Sequence, residues 1–262
     1  MKKIIISLTV AILLCFTCMT AFAEGVLVSD FDAEDISGFM GHNTAQQGYG
    51  ISDPTVSAAA GDNGMGAKVE VAKNDSVNST VQDFRIKDAS AISAVLANQG
   101  SGKYFRLYID ASGCNFKLAL RVSFRPDSGR VDFDCSNAVL VSANGTKPTV
   151  ETKDDSTSSV SNAKVIIPAG FKGYLYLPFD ALSASLDGVS SLRYIGFDVR
   201  WNDQAGDDLA TSETSGYYIF DSAMIVDEIE NIEQNDTFDT SVLAYAVATI
   251  IGCGALVAIK RK

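Results

Sequence analysis

The sequence predicts an all-β protein, an antiparallel β-sandwich of the jelly-roll kind, whose chain continues into one C-terminal transmembrane helix. Three observations lead to this prediction. Short runs of alternating apolar and polar residues recur between turns rich in Gly, Asn, Asp and Ser. No long stretch between the two chain ends repeats apolar residues at helical spacing. Both chain ends, in contrast, are strongly apolar segments.

Residues 1–23 are predicted to form a secretory signal peptide. Met1-Lys2-Lys3 supplies a basic start, residues 4–18 an apolar stretch, and Ala21-Phe22-Ala23 a small-x-small cleavage site. This layout is typical of leader peptides that are removed on export. We therefore expect the residues that follow to lie outside the cell.

Residues 240–259 are predicted to span the membrane. The segment has no charged residue, and a helix of this length reaches about 30 Å, the thickness of a hydrocarbon core. The basic tail 260–262 follows directly and is expected on the cytoplasmic side. The predicted order is an extracellular sandwich at 24–227, an acidic stalk at 228–239, the helix and the tail. The lipid bilayer is then one partner of this single-pass cell-membrane protein.

The predicted extracellular region is strongly acidic. It holds all 32 acidic residues and 16 of the 21 basic ones, so its net charge is −16. Such a surface repels phosphate backbones, and no nucleic-acid partner is expected. An acidic surface suits an exported protein that must stay soluble, which is the favoured interpretation, or one that collects divalent cations.

Ten segments alternate as half-buried strands do. In residues 115–125, Phe116, Leu118 and Phe124 fall on one face and Lys117 and Arg121 on the other. A short helix is predicted at 89–96 and a mobile surface loop at 147–162. The other nine predicted strands are 26–31, 67–72, 81–87, 104–111, 131–135, 164–168, 173–179, 192–201 and 217–226.

Only Cys114 and Cys135 fall in the extracellular region. A hairpin predicted around Pro126-Asp127-Ser128-Gly129 would place them about 20 Å apart along the strands, beyond disulfide reach. Two buried free thiols are therefore favoured over one disulfide.

Several segments resemble the jelly-roll (galactose-binding-like) carbohydrate-binding modules of bacterial polysaccharide-degrading systems. Residues 165–179, which end in Pro178-Phe179, resemble an extended strand that precedes a loop in that family. Residues 194–199 and 219–222 resemble its later strands, and 29–32 and 61–69 its early ones. The resemblance spans residues 26–227 and implies a domain that binds without catalysing.

The same resemblance implies a structural Ca²⁺ that joins the first strand to the last. The matching positions are Asp30, Asp32 and Asp221, and carboxylate oxygens are ligands that calcium prefers. The alternative is that these are ordinary carboxylates of turns and strand edges.

Sugar binding usually combines an aromatic platform with polar groups that orient the hydroxyls. Trp201, the sole tryptophan, ends a strand beside an Asp-rich loop and could stack on a sugar, although core packing is the alternative. The strands that resemble the concave sheet of the family are 81–87, 116–125, 131–135 and 192–201, whereas Tyr174 and Tyr176 resemble the opposite sheet. The outward residues of those four strands are charged, with no aromatic among them: Asp83, Arg85, Lys117, Arg121, Asp132, Asp198 and Arg200. The predicted ligand-binding residues are Trp201, Arg121, Asp198, Arg200 and Arg85.

The C-terminus resembles the sorting signals of Gram-positive surface proteins, in which Leu-Pro-x-Thr-Gly precedes an apolar stretch and a basic tail. Residues 235–241 occupy the corresponding place. Thr237 fits the pattern, but the Leu, Pro and Gly are missing, so a retained membrane helix is favoured over sortase processing.

No motif typical of catalysis stands out. The one histidine, His42, is predicted in a loop, no Cys/His grouping has zinc-ligand spacing, and no phosphate-binding Gly-x-x-x-x-Gly-Lys occurs. The favoured function is a surface-anchored, non-catalytic module for a polysaccharide or wall glycan. The alternatives are a structural or adhesive protein that binds another protein and, with less support, a glycoside hydrolase.

Overall fold

The computed structural model describes residues 25–31, 39–42, 56–62, 64–71, 81–201, 205 and 216–230. For residues 39–42 and 81–84 it describes the backbone alone. All of these residues belong to the structural unit that ends at Glu230. The predicted signal peptide, the membrane segment 240–259 and the basic tail lie outside them. In the part of the chain that is described, no helix is long and apolar enough to cross a membrane.

Strands account for nearly all regular structure in the described residues. One helix, α1 (Ala89–Asn98), lies between the fifth and sixth strands. The strands are β1 (Val26–Ser29), β2 (Phe39–His42), β3 (Val56–Ala60), β4 (Met65–Val71), β5 (Val81–Ile86), β6 (Tyr104–Asp110), β7 (Leu118–Pro126), β8 (Val131–Asp132), β9 (Val139–Ser142), β10 (Glu151–Lys153), β11 (Lys164–Ile167), β12 (Lys172–Pro178), β13 (Leu192–Arg200) and β14 (Gly216–Val226).

The strands form two sheets in which every pairing is antiparallel. The first sheet has the order β3-β4-β14-β6-β12-β9, with β1 also paired to β14. The second has the order β10-β11-β7-β13-β5-β2, with β8 also paired to β7. The predicted all-β antiparallel sandwich is confirmed, and so is the placement of β5, β7, β8 and β13 in one sheet with β12 in the other.

The main apolar core of the described residues lies between the two sheets. Phe105 of the first sheet packs edge-on against Phe124 of the second, with ring centroids 6.0 Å apart. Phe133 and Phe179 extend this aromatic cluster from the connecting segments. Because strand side chains alternate, every second residue of the central strands contributes to this core and the next faces outward.

Helix α1 packs against β1 and β13. Its first turn is capped by Asp88, whose carboxylate accepts hydrogen bonds from the backbone N–H groups of Ser90 and Ala91. Ala91 and Val95, one turn apart, face the core. The predicted helix at 89–96 is thereby confirmed and extended by two residues.

All ten predicted strands are present, although the segment 131–135 is a strand only at Val131–Asp132 and then forms a 3-10 turn at Cys135–Asn137. Four strands were not predicted: β2, β3, β9 and β10. The expectation that His42 lies in a loop is wrong, because it ends β2, where it pairs with Asp83 of β5.

The expectation of two free thiols is confirmed, since Cys114 and Cys135 are both unbridged and buried. Burial raises the pKa of each thiol to about 12.

Gly173 is a position at which the fold admits no side chain. It lies in β12, paired with Ser142 of β9, at a φ of 154°. A Cβ at this position would overlap the carbonyl oxygen of Val141 and lie 2.7 Å from Cα of Ser142. Both obstacles are backbone atoms, so rotation of a side chain cannot relieve the clash.

Gly173→Ala is therefore expected to destabilise the protein by about 2–5 kcal/mol through overpacking and backbone strain. Gly100→Ala is the matched control, because a Cβ there meets no atom within 4 Å. Denaturant unfolding of both variants measures the difference. Equal stability of the two variants would show that β9 and β12 are not packed as described.

Candidate functional site

The outer face of the second sheet carries most of the buried charge in the described chain. On β13, Asp198 lies opposite Arg121 of β7, and Tyr194 lies opposite Arg125 of the same strand. The alternate residues of β13, Ile195, Phe197 and Val199, point into the core. The alternation therefore collects charged side chains on one side of β7 and β13.

Five of these charged groups form what we name the Asp155 network: Asp155, Asp198, Arg121, Arg200 and Lys164. Arg121 donates one Nη to Asp155 and the other to Asp198, the latter at 2.9 Å. The Nε of Arg200 donates to Asp198 at 2.7 Å. Arg200 and Lys164 also lie 3.5 Å and 3.7 Å from the Asp155 carboxylate. Asp155 is only 5% exposed, so these ion pairs are shielded from water.

Asp155 reaches the sheet from the segment between β10 and β11, residues 154–163, which we name the covering loop. The backbone N–H and the hydroxyl of Thr157 both donate to Asp155 at 2.9 Å. Ser158 donates its hydroxyl to Asp132 of β8 at 2.7 Å, and Arg130 donates to the carbonyl of Thr157. The prediction of a mobile surface loop at 147–162 is thus wrong in two respects: the segment contains β10, and its middle is fastened over charged strands.

A cavity of about 590 Å³ lies between the covering loop and the sheet. This volume falls within the range of small-molecule sites. Serine hydroxyls and charged groups make up most of its lining, which includes Ser156, Ser158, Ser159, Ser161, Lys153, Asp154, Asp155, Lys164 and Arg200. Such a lining offers hydrogen-bond donors and acceptors in every direction, so it suits a polar, hydroxyl-rich molecule.

The electrostatics of the network keep Asp155 ionised. Burial alone would raise its pKa, but Arg121, the Thr157 N–H, Arg200 and Lys164 together outweigh burial and lower the pKa to about 2. Burial lowers the pKa of Lys164, an effect that the neighbouring Arg200 reinforces and Asp155 opposes.

A second group on the same face surrounds Tyr194, and we name it the arginine–tyrosine cluster. The guanidinium carbons of Arg85, Arg125 and Arg193 lie 4.2, 5.9 and 6.0 Å from the centroid of the Tyr194 ring. The expectation that this face lacks aromatic side chains is wrong. Alternation could have revealed Tyr194, because it lies four residues before Asp198 and so shares its face.

The predicted ligand-binding residues separate into three groups. Arg121, Asp198 and Arg200 come together in the Asp155 network, and Arg85 belongs to the arginine–tyrosine cluster. Trp201 is 0% exposed, so the expectation that its ring is presented to a sugar is wrong. It follows Phe197 and Val199 at two-residue spacing and therefore shares their core-facing side.

The residues predicted to hold calcium are only partly described. Asp221 is buried, and its carboxylate accepts the backbone N–H of Asp62 at 2.7 Å, which fastens the turn between β3 and β4 to β14. Asp30 is exposed, whereas Asp32 lies outside the described residues. Among the residues that are described, no three His, Cys, Asp or Glu side chains converge as metal ligands would. Calcium binding stays a prediction.

The first sheet offers a smaller cavity with an aromatic wall. Its volume is about 240 Å³, and Tyr104, Asn137 and Asp180 supply its ring and polar groups. Tyr174 and Tyr176, on the neighbouring strand, are less available, since Tyr176 is buried and the hydroxyl of Tyr174 donates to Asp62.

No protein-family model matches this sequence, and no curated protein matches it. The solved structures that are similar to this fold include two carbohydrate-binding proteins. One is a family 30 carbohydrate-binding module, with a TM-score of 0.41 and 12% identity over 78% of this chain and 99% of that one. The other is the CBM22-1–GH10 portion of endo-1,4-β-D-xylanase 10B from Clostridium thermocellum, solved with xylohexaose. It has a TM-score of 0.35 and 13% identity over 80% of this chain and 29% of that one.

Asp155→Asn is expected to destabilise the protein by about 3–5 kcal/mol at pH 7, because it leaves buried cations without their shared carboxylate. The pKa of Asp155 in the folded protein lies below the ordinary aspartate value of 3.8, so its stabilising contribution is present above pH 4 and is lost as the pH falls to about 2. The stability gap between wild type and variant should therefore narrow by about 2 kcal/mol between pH 4 and pH 2.

Denaturant unfolding across this pH range provides the measurement. Asp127→Asn, which changes an exposed carboxylate in the β7–β8 turn, is the matched control and should follow the wild type. A gap between wild type and Asp155→Asn that stays constant with pH would contradict the network.

Proposed function

We propose that this protein is a cell-surface, non-catalytic module that binds a polysaccharide or wall glycan through the cavity under the covering loop. In this proposal residues 24–227 form a jelly roll that is exported by residues 1–23 and held outside the cell by the membrane helix 240–259. A Ca²⁺ bound by Asp30, Asp32 and Asp221 belongs to the same proposal as a structural ion. The lining of the cavity is the observation that carries the glycan assignment.

A glycan presents many hydroxyl groups, so its binding requires donors and acceptors that are already fixed before it arrives. The covering loop supplies hydroxyls at Ser156, Ser159 and Ser161, and the sheet supplies charged groups at Lys164 and Arg200. Hydrogen bonds to charged groups are stronger than those between neutral ones. Because the Asp155 network joins loop and sheet, it holds both sets of groups in place.

The ionised state of the Asp155 carboxylate favours a binding function over glycoside hydrolysis. A glycoside hydrolase needs one carboxyl group whose pKa is raised enough to donate a proton near neutral pH. Asp155 is the buried carboxylate of the cavity, and its pKa of about 2 makes it an ion-pair partner and not a proton donor.

A structural or adhesive protein that binds another protein is the second candidate function. The arginine–tyrosine cluster favours it, because Tyr and Arg are enriched at the energetic centres of protein interfaces. The two candidates are separated by whether isolated polysaccharides bind.

Ser159→Trp tests the cavity by filling it. Ser159 is exposed and lines the cavity, so a bulky ring should block entry with little cost in stability. Ser57→Trp is the control, since Ser57 is exposed on β3 of the other sheet. Affinity electrophoresis of the full-length protein in neutral detergent, across a panel of soluble polysaccharides, should show at least about tenfold weaker retention for Ser159→Trp alone, equivalent to about 1.4 kcal/mol.

Tyr104→Ala tests the smaller cavity of the first sheet in the same assay. Loss of retention in this variant, with none in Ser159→Trp, would move the binding site to the first sheet. Failure of the wild type to be retained by any polysaccharide would contradict the proposed function and favour a protein partner.

A further inference from the structure

We infer that the arginine–tyrosine cluster binds the anionic groups of an acidic polysaccharide, namely carboxylate, sulfate or phosphate oxyanions. The inference rests on the proposed function, which it deepens by naming the class of glycan. It is carried by the geometry of the cluster, by the lack of carboxylate partners for two of its arginines, and by its position on the same face as the cavity.

Tyr194 holds the cluster in a fixed arrangement. The Tyr194 ring is 9% exposed, because Arg85, Arg125 and Arg193 pack around it. The next outward position on β13 is Gly196, where a Cβ would lie 3.2 Å from the Tyr194 ring and 3.1 Å from the Ser123 hydroxyl. Because Gly196 has no side chain, the Tyr194 ring can lie along the sheet over this position. The ring then separates the guanidinium groups that pack around it.

Two of the three arginines have no carboxylate within ion-pair distance in the part of the chain that is described. Neither Arg125 nor Arg193 forms an ion pair with a described carboxylate, whereas Arg106, Arg121, Arg130 and Arg200 all do. The Nε of Arg125 is buried and has no hydrogen-bond partner among the described residues. Arg193 donates its Nε to the carbonyl of Pro126 at 3.2 Å. In a chain with 32 acidic residues, two neighbouring arginines with no carboxylate at ion-pair distance leave room for an external anion.

The surroundings of Arg125 make an anion favourable there. Burial lowers the pKa of its guanidinium group. Repulsion from Arg130 and Arg121 reinforces this effect, whereas Tyr194 and Asp132 oppose it. A bound oxyanion would relieve that repulsion. The planar guanidinium group also presents two parallel N–H donors, which match carboxylate, sulfate and phosphate oxygens.

The ligand class follows from where the cluster lies. Tyr194 and Arg200 are six residues apart on β13, which at about 3.3 Å per residue places the cluster roughly 20 Å from the cavity along one strand. One extended polysaccharide can therefore contact both. Because the net charge of the chain is −11, the rest of the surface repels a polyanion and confines it to this cationic patch.

The test measures retention of full-length protein in neutral detergent on four polysaccharides and on one acidic polypeptide, poly-L-glutamate. Polygalacturonate supplies carboxylates, dextran sulfate supplies sulfates, purified wall teichoic acid supplies phosphates, and pullulan is neutral. At least one anionic probe should bind, and its affinity should fall at least tenfold between 20 and 300 mM NaCl as the charges are screened. The anionic probe that binds best identifies which oxyanion the protein prefers.

The double variant Arg125→Gln/Arg193→Gln should lower affinity for that probe at least tenfold. Lys103→Gln/Lys147→Gln, which removes the same charge elsewhere, should lower it less than threefold. Arg125→Lys/Arg193→Lys keeps the positive charge but lacks the paired N–H donors. Its affinity for the probe should lie between the affinities of the other two double variants. Thermal unfolding of each variant confirms that it is folded.

Three outcomes would overturn the inference. Retention on pullulan that is unaffected by salt and by Arg125→Gln/Arg193→Gln would leave the proposed function standing and remove the anionic ligand. An equal loss of affinity in the arginine and lysine double variants would show that the anionic probe is attracted by positive charge in general and not by the cluster. Binding of poly-L-glutamate as tight as that of the best polysaccharide would assign the cluster to an acidic protein instead. Retention on none of the polysaccharides would reject the proposed function itself.

Discussion

The carboxylate of Asp155 is the contact on which the second sheet depends. Arg121 and Lys164 lie on neighbouring strands of that sheet and Arg200 on a third, and each is within ion-pair distance of this one group. Cations taken out of water without a partner cost several kcal/mol each. Because Asp155 belongs to the covering loop, the loop must lie over the sheet for this carboxylate to join Asp198 in neutralising these buried cations. The position of the loop, and with it the cavity, follows from this requirement.

The outer face of the second sheet is therefore divided into two parts with different electrostatics. Around Asp155, cations and carboxylates neutralise one another and give a rigid floor to a hydroxyl-lined cavity. Around Tyr194, Arg125 and Arg193 pack against the ring, and neither has a carboxylate at ion-pair distance among the described residues. The first part has the character of a site for neutral, hydroxyl-rich groups and the second that of a site for negative ones. A polysaccharide that carries both kinds of group is the ligand that we propose for the whole face.

Much of the sandwich was predictable, because β6, β7 and β13 alternate large apolar side chains with polar or small ones. The strands that escaped prediction lack that contrast: β3 is rich in alanine, and β10 is the polar tripeptide Glu-Thr-Lys. Asp155 could not be singled out, since it lies in a run of Ser, Thr and Asp, and its partners Arg121 and Arg200 lie 34 or more residues away in the sequence. The placement of Trp201 in the core, in contrast, was available from its two-residue spacing to Val199.

A carbon-13 NMR titration of the Asp155 side-chain carboxyl tests the central claim most directly, because it reports on this one group in the folded protein. If Asp155 is held by Arg121, Lys164 and Arg200, its chemical shift should stay constant from pH 7 to pH 3, and its midpoint should lie at about 2. A midpoint near 3.8, the ordinary value for an aspartate, would show that Asp155 is solvated and that the covering loop does not close the sheet.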